Sequence, residues 1–403
     1  MKKLGIISGG CLAVALTGLL SFSAKANTST KNHFYLQQDS LKFKVSEAPE
    51  WTALFNRKLG WFGADGIFAI PMSGKDLNSG GATMLVFSDT MLGEIRGEKL
   101  QPGFKMIHNS VAMMDKVEPS EKNIRFHWNN VQKDKPKSIF TPKTKNTKPG
   151  EYFWLGDGFV NKELNGATYI FAYRVRDEGT GAFAFAEVGN VLIKIPAGSK
   201  VPFTNHQQMD TPFFLSGKSG EEETTFGGSI YANTISAGAK NPDGYIYVYG
   251  VKGKDKKVVV ARVKPKLFEQ FDAWRFWDGK DWNTDIKKTA GIADKTSNEL
   301  SVSELPDGRY AMVFQVNGWG NTIGMRIGSS PVGPFGETIN IWDCKDAVLN
   351  KNFFVYNAKA HPALSKPGEL LISYNVNSFD FWNDIKQYPN LYRPRFIKVS
   401  LTD

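Results

Sequence analysis

The chain has 403 residues, of which 41% are hydrophobic and 13% aromatic; that is enough apolar material for a large buried core and too much for a disordered or fibrous protein. Its 50 Lys and Arg against 40 Asp and Glu leave a formal charge of +10. A mildly basic surface with no recognisable nucleic-acid module argues against a nucleic-acid partner.

In chain order, residues 1–26 read as a secretory signal: Lys2 and Lys3, an apolar run from Leu4 to Leu20, and Ala24-Lys25-Ala26 as the cleavage site. The mature chain would begin at Asn27, in the periplasm or outside the cell. An uncleaved membrane anchor is the competing reading; the Gly and Ser residues inside the apolar run weaken it as a spanning helix. Cys11 falls within the signal, so Cys344 is the one cysteine of the mature chain. It can form no intrachain disulfide and reads as a small buried hydrophobe.

Strand patterns follow almost without interruption: "GIFAIPM", "TMLVFSD", "ATYIFAYRV", "GNVLIKIP", "GYIYVYGVK", "KVVVARV", "RYAMVFQV", "ELLISYNV" and "RFIKVS", separated by Gly, Asp, Asn and Pro. Lysines 133, 135, 137, 143, 145 and 148 crowd "QKDKPKSIFTPKTKNTKPG", which reads as a solvated loop, with an acidic-glycan dock as the alternative. Long amphipathic helices are missing; Pro265 to Asp272 could hold a turn or two.

A looser repeat overlies the strands. A polar or glycine-rich opening leads into a strand and then a stronger hydrophobic strand at "GADGIFAIPM", "LGDGFV", "FGGSIYAN", "NELSVSEL" and "YNAKAHPAL", with starts spaced by roughly 55 to 90 residues. Five such units of about four strands predict a five-bladed β-propeller, all-β and one domain over 27–403, in which each first strand lines a central channel. Two stacked β-sandwiches are the alternative.

If the first strands converge on one axis, the residues opening them meet. That brings together Asp65, Asp157, Ser229, Tyr231, Glu299, Lys359 and His361. Three carboxylates from three units form a candidate hydrolytic site, because glycosidic cleavage needs one acid to protonate the leaving oxygen and one carboxylate to activate water. A third carboxylate keeps the acid protonated by raising its pKa. Taken singly, Asp65 and Asp157 each precede Gly and read as turn residues, and His361 as a satisfied core histidine; their recurrence at equivalent points of the repeat points to function. Asp89, after a second strand, reads as a supporting or turn residue. Trp61, Trp154, Trp319 and Tyr356 lie beside the openings, where flat rings suit the apolar faces of sugars. Trp274 and Trp277 read as core.

"GWFGADGIFAIPM", "TMLVFSDTMLG", "MIHNSVAMM", "FWLGDGF", "NELSVSELPDGRYAMVFQ", "SSPVGPFGE" and "YRPRFIKV" resemble a family of secreted bacterial proteins catalogued as a domain of unknown function. That family is similar to five-bladed propeller glycosidases, among them the endo-D-arabinanases of glycoside hydrolase family 183. The "SSPVGPFGE" turn resembles one in the arabinanase and xylosidase propellers of family 43. In family 43 a base opens the first blade, a supporting aspartate the second, and the acid is a glutamate in the third. The resemblance thus implies Asp65 as base and Asp157 as modulator. The third unit, "TTFGGSIYAN", departs from the pattern by offering no carboxylate, and Glu299, one unit later, is taken as the acid.

The resulting expectation is a monomeric, exported glycoside hydrolase acting on a furanoside-containing polysaccharide such as arabinan, with Ser229, Tyr231, Lys359, His361 and the three tryptophans contacting substrate. No cofactor is required; resemblance to propeller glycosidases would allow a calcium ion or water cluster near His361. The rival is a glycan-binding or envelope-scaffolding propeller without catalysis, favoured by the missing third-unit carboxylate.

Overall fold

The computed structural model describes residues 41–76, 80–130, 135–179, 183–218 and 220–402. The signal sequence and Lys133 lie outside the described residues. Strands dominate, joined in antiparallel ladders within six sheets. Among the described residues no helix is long and apolar enough to cross a membrane.

Five sheets follow one another along the chain. The first runs Phe68–Pro71, Thr83–Phe87, Ser110–Met114, Ile124–His127, and the second Tyr152–Asn161, Ala167–Asp177, Phe185–Ile195, Gln207–Asp210. In the third, Thr224–Asn233, Tyr245–Lys252 and Lys257–Val263 carry short flanking strands. The fourth is Leu300–Glu304, Tyr310–Gln315, Thr322–Gly328, Ile339–Asp343. The fifth joins Phe353–Ala360, Glu369–Ser378 and Arg395–Thr402 to Lys42–Glu47 from the other end of the chain, with Val45 opposite Val399. A sixth, smaller sheet pairs Leu59–Ala64 with Thr90–Arg96.

The first strands of the five sheets abut in succession: Phe68–Pro71 on Tyr152–Asn161, that on Thr224–Asn233, then Leu300–Glu304, then Phe353–Ala360. The row returns to its start through the turn Pro362–Leu364, which packs on Phe68–Pro71, and through Lys359 Nζ, 4.5 Å from the Phe68 ring centroid. The hydrophobic cores obey the same cycle. Phe68, Ile70 and Val86 pack on Leu155 and Ile170; Phe171 and Leu192 on Phe226 and Val248; Tyr249 and Val260 on Val302 and Met312; Val313 and Met325 on Val355 and Ile372. Leu371 and Phe396 of the fifth sheet close it on Leu85 and Ala112 of the first. Such faces are buried on both sides, which is why the strands read as near-continuous apolar runs.

Three first strands are bulged at the same height, between Leu155 and Gly158, Phe226 and Ser229, and Tyr356 and Lys359. Here neighbouring backbones come too close for side chains: a Cβ on Gly156 would sit 2.5 Å from the Gly227 carbonyl oxygen, and one on Gly228 2.7 Å from that of Asn298. The glycines of "LGDGFV" and "FGGSIYAN" therefore answer to convergence rather than to turns. Short 3-10 turns at Pro265–Leu267 and Phe271–Ala273 fill the stretch expected to hold a turn or two. The helices Pro49–Leu54 and Phe381–Gln387 were not anticipated by any pattern.

Candidate active site

Asp65 sits between Leu59–Ala64 and Phe68–Pro71, its backbone pinned to the next turn by Ser88 N–H donating to its carbonyl (2.9 Å) and its own N–H donating to the Asp89 carbonyl (3.3 Å). Its side chain accepts from the Tyr356 hydroxyl at 2.7 Å on Oδ2, while Oδ1 is buried without a hydrogen-bond partner. Burial pushes this carboxyl up to about 7, helped by the charges of Asp89 and then Glu299 and opposed by the hydroxyls of Tyr356 and Tyr392. Asp65 and Asp89 belong to the first unit, Glu299 to the fourth and Tyr356 to the fifth, so the site exists only in the folded chain.

Asp89 is part of this group and more than a turn residue. Its Oδ1 accepts from Trp154 Nε1 at 3.0 Å and lies 2.9 Å from His108 Nδ1, whose ring stacks on Tyr152 with centroids 3.7 Å apart. Glu299 accepts from Asn357 Nδ2 at 2.9 Å and is ion-paired to Lys359 Nζ at 2.5 Å. Burial raises the Glu299 carboxyl, and Lys359 opposes that rise. Asn357 forms the fifth-sheet bulge with a φ of 61°, a conformation asparagine tolerates, and this aims its amide at Glu299.

Asp157 occupies the second-sheet bulge, where the N–H groups of Ile230 (2.7 Å) and Gly158 (2.8 Å) grip its two oxygens. Burial holds it up to about 7; those N–H groups and Lys359 pull downward, and Asp76 pushes upward. Lys359, 1% exposed, therefore acts electrostatically on both Glu299 and Asp157. Asp157 lines a polar cavity of about 50 Å³ together with Asp76, Ser229, Tyr231, Lys359 and His361.

These last residues are firmly engaged. Ser229 Oγ accepts from Val302 N–H at 3.2 Å, and the Tyr231 hydroxyl donates to Glu304 Oε2 at 3.1 Å. His361, paired with the Ser373 hydroxyl at 2.7 Å, is pushed down to about 3 by burial and by Lys359, so it is neutral. The Lys359 ammonium beside it is poor company for a hard cation, and no group of three or more His, Cys, Asp or Glu able to hold a metal occurs among the described residues.

The tryptophans separate. Trp154 is at the site, while Trp319 is 52% exposed. Trp61 is 1% exposed, with its ring 4.4 Å from Phe126 and 5.4 Å from Phe87. The expectation that Trp61 stacks on sugar is thus corrected: the strand Leu59–Ala64 turns that side chain into the core between the fifth and first sheets. Tyr392, which abuts Asp65, was missed because nothing in "YRPRFIKV" marks a residue before a strand as site-facing. Tyr173 was missed too, being an ordinary strand tyrosine in sequence; Glu187, Glu299 and Asp157 all act on its buried hydroxyl.

The fold is all-β, and Asp65, Asp157 and Glu299 are buried carboxyls held above their ordinary range, the kind of perturbation that marks candidate acid–base groups. The chain belongs to the family described as "Domain of unknown function (DUF5005)", which matches residues 49–401. None of the curated proteins matches it. Among solved structures, it resembles a Bacteroides ovatus protein provisionally described as a hydrolase, at 20% identity over 89% of this chain and 90% of that one, with a TM-score of 0.69. That likeness is one of fold. Looser overlays are with the Podospora anserina α-L-arabinofuranosidase (10% identity, 86% and 98% covered, TM-score 0.45) and a Xanthomonas citri enzyme of family 43 (14%, 88% and 93%, 0.42).

Proposed function

We propose that this protein is an exported, monomeric glycoside hydrolase, a five-bladed propeller whose blades are the five sequential sheets and whose substrate is a furanoside-containing polysaccharide of the arabinan kind. The cyclic contact of first strands supports the blade count, and the sequence motifs support the kinship with family 183 endo-D-arabinanases. The observation that carries the activity is the meeting of Asp65, at about 7, with Asp89 and Glu299. A carboxyl poised near neutrality is suited to proton transfer in either direction.

In this reading Asp65 takes a proton from the water that attacks the anomeric carbon. Glu299 gives its proton to the glycosidic oxygen as the carbon–oxygen bond breaks. Asp157, through Lys359, sets the field in which Glu299 titrates. Trp154 walls the site from the Asp89 side; Ser229, Tyr231 and His361 hold the polar floor beneath it.

One observation favours the second reading, a glycan-binding propeller without turnover: the Lys359 ion pair favours the charged form of Glu299 and so works against its role as proton donor. Incubating the purified protein with a panel of neutral and acidic polysaccharides, and measuring reducing ends, separates the two. Hydrolysis lost in both Asp65→Asn and Glu299→Gln supports the enzyme; binding without product by the parent protein supports the second reading.

A further inference from the structure

Four aromatic rings gather at the protein surface beside the carboxylates. Phe183, Trp319 and Phe379 are 48%, 52% and 50% exposed, and Phe354 is half-buried among them. All six ring pairs are in contact, from 4.7 Å (Phe354–Phe379) to 6.1 Å (Phe183–Phe354) between centroids. They come from the second, fourth and fifth sheets, so the fold assembles the cluster and leaves it facing water. Exposed apolar clusters of this kind mark binding surfaces.

The cluster is continuous with the site. The Phe354 ring lies 5.4 Å from that of Tyr356, Trp319 forms a backbone bridge to Tyr356, and the Tyr356 hydroxyl donates to Asp65. Whatever occupies the surface next to Asp65 therefore meets these rings next. The groups beside them are acidic: Asp89 and Glu299 both raise the Asp65 carboxyl by their charge, and Lys359 is already paired with Glu299. An anionic sugar would be repelled there, and three phenylalanines offer no hydrogen bonds to a carboxylate or sulfate.

We infer that the Phe183–Trp319–Phe354–Phe379 cluster is a subsite for an uncharged sugar unit of a polysaccharide, held by its CH faces, on the fifth-sheet side of Asp65. The inference rests on the carbohydrate reading of the site and names the substrate class as neutral.

The test uses the full chain carrying Asp65→Asn, so that binding is read without turnover. Affinity for debranched arabinan, a neutral probe, and for polygalacturonate, an anionic one, is measured by calorimetry with and without Trp319→Ala or Phe379→Ala. The expected result is binding of arabinan weakened about tenfold or more by either substitution, recovery with Trp319→Tyr, an unchanged melting temperature, and no binding of polygalacturonate. Unchanged arabinan affinity in both alanine variants overturns the subsite, as does preference for polygalacturonate or for phosphatidylcholine vesicles. A parent protein that hydrolyses nothing, yet binds arabinan through these rings, defeats the catalytic reading alone.

Discussion

The Tyr356 hydroxyl donates to Asp65 Oδ2 across 2.7 Å, joining the last sheet of the chain to the turn that opens the first. The bond favours the ionised carboxylate and counters the burial that drives Asp65 up to about 7. Removing it with Tyr356→Phe should move the Asp65 titration upward. A hydrogen bond to a charged group is worth about 1.5–3 kcal/mol, or about 1–2 pH units. If ionised Asp65 is the base, the acidic limb of the pH–rate profile shifts to higher pH by that amount. A profile that stays in place disconnects Asp65 from the rate.

Lys359 and Glu299 form a pair that is 1% and 14% exposed at the side chains. Lys359→Met alone leaves a buried carboxylate without its counter-charge and should cost about 3–5 kcal/mol at pH 8, less at pH 5 where Glu299 can take up a proton. Adding Glu299→Gln should restore most of that loss. Denaturant melts of the two single variants and the double variant measure the coupling; strict additivity would mean the pair contributes nothing.

Burial holds Glu187 up to about 8 from an ordinary 4.5, even though Thr225 Oγ1 donates to it at 2.7 Å. The folded chain thus keeps a proton that the unfolded chain has released between those values, and stability must fall as pH rises through that window. Asp65, Asp76 and Asp157, each near 7, push the same way. The melting temperature should decline from pH 5 to pH 8, and less steeply in Glu187→Gln, which can still accept from Thr225. Parallel curves for the two proteins would show that Glu187 titrates normally.

Trp61 and Trp319 should respond in opposite ways. Trp61→Ala opens a cavity in the core between the fifth and first sheets and should cost about 3–5 kcal/mol. Trp61→Phe should cost far less, because the buried indole N–H has no hydrogen-bond partner to lose. Trp319→Ala, at an exposed site, should leave thermal stability nearly unchanged. Chemical denaturation of the three variants reads this directly.

The strands were legible because faces buried on both sides write continuous apolar runs, and the repeat was legible in part because the close approach of backbones at the second- and third-sheet bulges needs glycine. Cys344, 1% exposed, is the small buried residue its isolation suggested. Asp65, Asp157 and Glu299 could be singled out as candidates from the repeat alone. Their surroundings could not, because these consist of the ion pair of Glu299 with Lys359, the backbone N–H groups of Ile230 and Gly158 on Asp157, and Tyr392 beside Asp65, a residue with no periodic signature. Trp61 misled for a related reason: proximity in sequence to Asp65 does not fix which side of a strand a ring takes, and the small sixth sheet turns it inward.

The most direct test of the account is the rate at which purified parent protein and Asp65→Asn release reducing ends from debranched arabinan between pH 5 and 8. Asparagine keeps the shape and can still accept from Tyr356, but it cannot take up a proton from water. The account predicts measurable turnover by the parent and a fall of about 10²–10⁴-fold in the variant, with thermal stability retained. An Asp65→Asn protein that hydrolyses at near the parent rate would contradict it.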